Sequence, residues 1–171
     1  MKKFCIVSIA ALAMLLTASC GYHMGGTMHP QIKNIAIGKV INDTAVFNVA
    51  VQLQQLLAEQ FMLDGDLKVV NLGNAQSIIY SRIVSVAYVQ IAGRNTVDDG
   101  IYKPSDWETR VIVEYSVILP GEREPLIAKR NVSGHAFFRQ QADLETERAR
   151  AIRMALRDAA KKIVQGTTES W

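Results

Sequence analysis

Asp106-Trp107-Glu108-Thr109-Arg110-Val111-Ile112-Val113-Glu114-Tyr115-Ser116-Val117-Ile118-Leu119 alternates along its whole length. Trp107, Thr109, Val111, Val113, Tyr115, Val117 and Leu119 share one face. Glu108, Arg110, Glu114 and Ser116 share the other, with Ile112 and Ile118 among them. Successive strand side chains point to opposite faces, so this period of two predicts a strand with one dry and one mostly wet face.

On its N-terminal side, residues 93–105 read as a loop, with Asp98-Asp99-Gly100 and Pro104 as turn signals. The acids there lack the spacing and closing Glu of a calcium loop. Before it, residues 77–91 form a long β-rich run, apolar on both parities. On its C-terminal side, Pro120 to Pro125 is a loop, and residues 126–138 read as a returning strand. Leu126, Ala128, Val132, Ala136 and Phe138 share one parity there, and Gly134 predicts a bulge or bend.

The first strand spans residues 33–41, with Ile35, Ile37 and Ile41 on one face and Lys39 marking a place near a sheet edge. Asn42-Asp43-Thr44 supplies a turn and an N-cap. A helix over residues 44–63 carries Val46, Val49, Ala50, Leu53, Leu56, Leu57 and Phe61 as its apolar stripe, and Gly65 ends it. Residues 67–72 follow as a short strand, closing a βαβ-like unit whose strands run parallel. The last helix starts at an Asp143 cap and places Lys161 and Lys162 in its last turn before Gly166. Its buried stripe is Ile152, Ala155, Leu156, Ala159 and Ile163. Arg148, Arg150, Arg153 and Arg157 have the look of a basic anion-binding run, and the plainer reading is a solvated face with ion pairs four residues apart. Thr167 to Trp171 reads as a frayed tail.

The order is β-α-β-β-β-β-α. Two helices with one apolar stripe each cover one face of a mixed, mostly antiparallel sheet. This is the α+β class, a two-layer sandwich whose second sheet face meets solvent or a partner.

The N-terminus carries a different signal. Lys2 and Lys3 precede an apolar run from Phe4 to Leu16, too short to span a bilayer comfortably. Leu16-Thr17-Ala18-Ser19-Cys20 then resembles a bacterial lipobox, which implies cleavage before Cys20 and a diacylglycerol on its sulfur. The chain therefore divides into a lipoprotein signal peptide (1–19), a flexible tether (20–31), a single domain (32–166) and a tail (167–171). Losing Lys2 and Lys3 leaves 17 basic residues against 16 acidic ones, a charge of +1, so no general nucleic-acid surface is implied. Cys5 leaves with the signal and Cys20 carries lipid, so no thiol remains for a disulfide, a metal or a nucleophile. His23, Met24, Met28 and His29 lie in the tether and lack a rigid scaffold for a soft metal. Neither a nucleophile elbow, a phosphate loop, HExxH nor a paired-Cys motif occurs. His135 reads as a structural strand residue, and no cofactor is expected.

Cys20-Gly21-Tyr22-His23, the Ile35-Ala36-Ile37…Asn42-Asp43-Thr44 strand running into a helix, the β-rich middle and the final amphipathic helix together resemble the outer-membrane LPS-assembly lipoproteins, the LptE family. That resemblance implies a non-enzymatic plug within the LptD β-barrel that helps deliver lipopolysaccharide to the outer leaflet. It matches Cys20 to the acylated cysteine and transfers no ligand contacts. The opening βαβ, with Leu67-Lys68-Val69-Val70, is also similar to envelope proteins of the TolB N-terminal and curli-secretion type, which would be periplasm-facing interaction modules. A lipid-anchored enzyme is the third class. Phosphate-pairing candidates for lipopolysaccharide are Arg94, Lys103, Arg110 and Lys129, on loop and outward strand positions.

Overall fold

The structure, a computed structural model, describes residues 32–95, 102–139 and 143–169. β1 (Asn34–Asn42) leads to α1 (Val49–Asp64) and β2 (Lys68–Val69). A single 3-10 turn (Leu72–Asn74) then precedes β3 (Ser77–Asn95), β4 (Tyr102–Ile118), β5 (Ile127–Arg139) and α2 (Leu144–Thr168). The five strands form one mixed sheet in the order β2-β1-β3-β4-β5. β1 is parallel to both β2 and β3, and the β3–β4 and β4–β5 pairs are antiparallel. Both helices pack on one face and against each other, as the alternation in β4 requires.

The core follows the predicted stripes. Val49, Leu53, Leu56, Leu57 and Phe61 of α1 are buried, as are Ala151, Ile152, Ala155, Leu156, Ala159 and Ile163 of α2. They meet Ile79 and Ile83 of β3 and Val111, Val113, Tyr115 and Val117 of β4 in one cluster. Gly65 closes α1 in the left-handed region (φ 81°), its N–H reaching Phe61 O at 3.1 Å. Asp143 caps α2 by accepting from the Thr146 N–H at 3.2 Å.

Several elements depart from their expected limits. The loop expected over residues 93–105 is largely strand. β3 and β4 remain paired out to Asn95 opposite Tyr102, because Pro104 and the Gly93 break are absorbed at register shifts. Asn42-Asp43-Thr44 does not cap a helix. Helix α1 starts five residues after Thr44, and Asn42 instead binds its own loop. The strand expected over residues 67–72 shrinks to Lys68–Val69.

Two irregularities turn side chains over. A register shift between Ile37 and Val40 buries Val40 and leaves Ile41 41% exposed, so Ile41 is not on the Ile35 face. Another, opposite the start of β5, buries Ile127 while Ala128 is exposed, against the expected Leu126–Ala128 parity.

Gly134 makes no bulge. It is buried under α2, where a Cβ would collide with the Ala155 carbonyl and sit 2.7 Å from Ala159 N. Gly166 does not end α2 either. The helix runs on to Thr168, with Thr167 and Thr168 buried, so those two residues are not frayed and Lys161 and Lys162 lie before the last turn.

Candidate functional site

The sheet face turned away from the helices is the candidate site. Register sets what lies side by side there. Val89 opposes Glu108, and Ala87 opposes Arg110. On the other flank Glu108 opposes Phe137 and Arg110 opposes His135. Glu108 is the least exposed side chain of this group, and its two oxygens are both engaged. Oε1 meets His135 Nδ1 at 2.5 Å, and Oε2 accepts from Arg110 Nη2 at 3.1 Å. The hydrogen bond from His135 holds the Glu108 carboxyl below the usual carboxylate range; burial opposes it and the Arg110 charge reinforces it. His135 Nε2 in turn lies 3.0 Å from Ser133 Oγ. His135 is thus a strand residue, as read, but one built into a charged network.

This network is flanked by exposed apolar side chains. Ile91 is 53% and Phe137 69% exposed. With Asp106, Trp107, Phe138 and Arg139 they line an open cavity of about 370 Å³ at the hairpin end of the sheet. Round the edge of β5, a second cavity of about 210 Å³ adds Arg150 and Met154 from α2 to Phe137 and Arg139. Arg139 is paired with Asp106 at 2.9 Å. Beneath, on the helix side, Trp107 stacks on Phe138, Tyr88 meets Phe138 edge-on, and the Arg148 guanidinium lies 5.2 Å from the Tyr88 ring centre. The aromatic cluster holds the long hairpin against the start of α2.

The predicted cations are not brought to one place. Arg94 and Lys103 are register partners near the end of the hairpin. Arg110 lies seven residues further along β4, bound to Glu108. Lys129 is beyond it, 3.4 Å from Glu114, at a smaller hollow with Lys39, Ile41, Tyr80 and Arg82. Cys20 and the tether lie outside the described residues. The sequence reading missed Phe137 and Arg139, and named Arg150 only within the arginine run of the last helix. For the two missed residues the available signal was Phe137 on the polar parity of β5.

The run of arginines in α2 is partly the expected solvated face. Arg148 pairs with Glu145, and Arg157 reaches Glu59 of α1 at 3.5 Å. The outer edge of β5 is also closed by α2: Asp158 accepts the His135 N–H and Lys162 donates to the Ser133 carbonyl. Among the described residues no cluster of His, Cys, Asp and Glu could hold a metal ion. No described helix is long and apolar enough to cross a membrane.

Fold and face together define a class: a two-layer α+β domain with both helices on one side of a curled mixed sheet and the other side bare. The chain belongs to the lipopolysaccharide-assembly family LptE, whose family model matches residues 32–166. No curated protein matches the sequence. Solved structures share the fold. A minor lipoprotein from Acinetobacter baumannii is 10% identical with a TM-score of 0.53, over 81% of this chain and 94% of that one. The PelC dodecamer subunit from Paraburkholderia phytofirmans is 12% identical with a TM-score of 0.52, over 84% and 93%. A protein from Xanthomonas campestris is 10% identical with a TM-score of 0.55, over 84% and 90%. Membership makes this chain a lipopolysaccharide-assembly lipoprotein associated with the cell envelope.

Proposed function

We propose that this protein plugs the lumen of an LptD-like outer-membrane barrel and assists lipopolysaccharide assembly there. The observation that supports the reading is the bare sheet face, where the Glu108–Arg110–His135 network lies among exposed Val89, Ile91 and Phe137. A surface of that mixture fits the polar interior of a large barrel better than it fits a dry core. Cleavage of residues 1–19, acylation of Cys20 and a tether over residues 20–31 complete the reading. A flexible stretch of that length spans roughly 15–20 Å and lets the lipid sit in the bilayer while the domain sits in the barrel.

Lipopolysaccharide combines phosphates with acyl chains. Arg94 and Lys103 offer paired positions for phosphate near the hairpin end, where the cavity formed by Ile91, Phe137 and Phe138 offers apolar surface. Arg110 and Lys129 also serve on this reading, but each must first leave an acid.

Photocrosslinkers at Arg110, Glu114 and Arg94 in the full lipoprotein should capture one large barrel protein in cells. Intact mass of the same membrane-extracted protein should show the signal lost and lipid gained at Cys20. Capture of periplasmic proteins alone, with the protein folded and anchored, would favour a TolB-like interaction module instead. An unmodified Cys20 would remove the anchor.

A further inference from the structure

Helix α2 carries cations that the fold leaves unpaired. Arg150, Arg153, Arg157 and Lys161 are all exposed. At about 100° per residue they fall within about 80° of arc, a stripe roughly 16 Å long on the solvent side of the helix. Arg157 reaches Glu59 of α1 at 3.5 Å, and both side chains are half exposed. Among the described residues Arg150, Arg153 and Lys161 form no ion pair. On the strands, by contrast, Arg82, Arg110, Lys129 and Arg139 are each held by an acid.

Ion pairs four residues apart would make such a run a plain solvated face. Two acids of α2 are instead engaged outside the stripe, Glu145 by Arg148 and Asp158 by Lys162. Within the stripe the neighbours three and four apart are themselves cations: Arg150 and Arg153, Arg153 and Arg157, Arg157 and Lys161. Like charges at that spacing weaken a helix rather than support it, so the stripe does nothing for the isolated domain. Apolar surface lies beside it. Met154, 50% exposed, and Phe137, 69% exposed, share a cavity of about 210 Å³ with Arg139, Arg150 and one acid, Glu147.

We propose that this face of α2 docks on an acidic stretch of the barrel's inner wall, a ridge of Asp and Glu side chains that complements Arg150, Arg153 and Lys161. The inference rests on the plug reading above and deepens it, since a domain enclosed in a lumen meets the wall with its helices as well as with its bare sheet face.

Charge and composition select a protein surface over an anionic bilayer. α1 packs beside α2 and carries no Lys or Arg between Val49 and Asp64. A flat anionic surface laid on the helix layer would meet exposed Asp64 and the uncharged Gln54 and Gln55 there, so its attraction is confined to one helix. A ridge narrow enough to follow α2 collects the cations and leaves α1 out. Arginine with Met and Phe is also the composition enriched at protein interfaces, where lysine is depleted. Arg pairs bidentately with a carboxylate, so a docked Arg150 or Arg153 gains orientation as well as charge.

The test uses the full lipoprotein and the purified barrel. Arg150→Gln, Arg153→Gln and Lys161→Gln together should weaken their association by about tenfold or more, each exposed charge pair contributing roughly two- to fivefold. The difference should shrink at about 0.3 M salt, where screening has already weakened the parent. The melting temperature of the free variant should not fall, because the three side chains have no acid to lose. A photocrosslinker at Arg153 should map to a stretch of the barrel that contains Asp or Glu, and Lys substitutions there should weaken binding of the parent. Unchanged affinity of the triple variant overturns the docking face, as does crosslinking to a stretch without acids. So does a triple variant that loses binding to vesicles of about 30% phosphatidylglycerol while its barrel association is intact, which would assign the stripe to the membrane. In those cases continued capture of the barrel from Arg110 and Glu114 leaves the plug reading standing. Loss of capture from those two positions removes both.

Discussion

Glu108 carries more than its place on a wet strand face implied. Its carboxylate is shared between His135 and Arg110, and the His135 hydrogen bond is the main reason its pKa lies low. A carboxyl depressed in the folded state stabilises the fold above its ordinary value of 4.5, and that contribution disappears as pH falls below 4.5 through the folded value. Glu108→Gln should therefore be less stable than the parent at pH 7, with the gap closing towards pH 3. Denaturant midpoints across that range will read it; a gap that is constant with pH would remove the ion from the account. Asp143 also lies low, through the Thr146 hydroxyl and N–H. Asp158 does so too: burial pushes it up, but Lys162 and the His135 N–H outweigh burial. The Glu108→Gln variant therefore keeps part of the parent's acid sensitivity. The Asp143 cap was legible in sequence, but the His135 contacts were not. His135 lies 27 positions from Glu108 and 23 from Asp158, and only strand register and helix docking bring them together.

At the scale of elements, α2 and β5 show how a single small residue sets a distance. With no Cβ at position 134, the helix backbone at Ala155 and Ala159 comes down onto the strand. That approach also lets Asp158 and Lys162 reach the outer edge of β5 and satisfy polar groups that would otherwise be exposed on an edge strand. Gly134→Ala should destabilise the domain by about 1–3 kcal/mol, the range for overpacking a tight contact. Chemical denaturation checks it, and a neutral result would mean that the helix can shift outward freely. The opposite edge is managed differently. β2 covers only the start of β1, and the remainder carries exposed Lys39 and a register shift, both of which discourage addition of a further strand.

For the whole molecule, the two helices face one way and the ligand-facing surface on our reading faces the other. Of the four cations read from sequence, Arg110 and Lys129 lie on this second surface, paired with Glu108 and Glu114, and Arg94 and Lys103 are register partners near the hairpin end. Reversing Arg94, Lys103, Arg110 and Lys129 together should reduce binding to purified lipopolysaccharide. Arg94→Glu with Lys103→Glu should account for most of the loss, about tenfold per charge-assisted contact. Titration at low and at 0.3 M salt will measure it, and the loss should shrink at the higher salt as screening grows. Unchanged binding in the fourfold variant would remove these residues from the ligand site. A larger effect from Lys129→Glu alone would move the site to the Lys39–Tyr80 hollow.

Element order, the two buried helix stripes and the alternation of β4 were legible in the chain before folding. Each depends on a local period of 3.6 or 2 that a short window of residues carries. The chain also carried the family resemblance, which the match over residues 32–166 bears out. Tertiary structure decided where that period is interrupted. The shift between Ile37 and Val40 turned Ile41 outward, and the shift opposite β5 buried Ile127 rather than its neighbours. It decided that Pro104 sits in a paired strand and that Gly134 is a contact rather than a bend. In each case the deciding partner is distant in the chain, so the energy that selects the conformation appears only once the sheet has its register and the helices are docked.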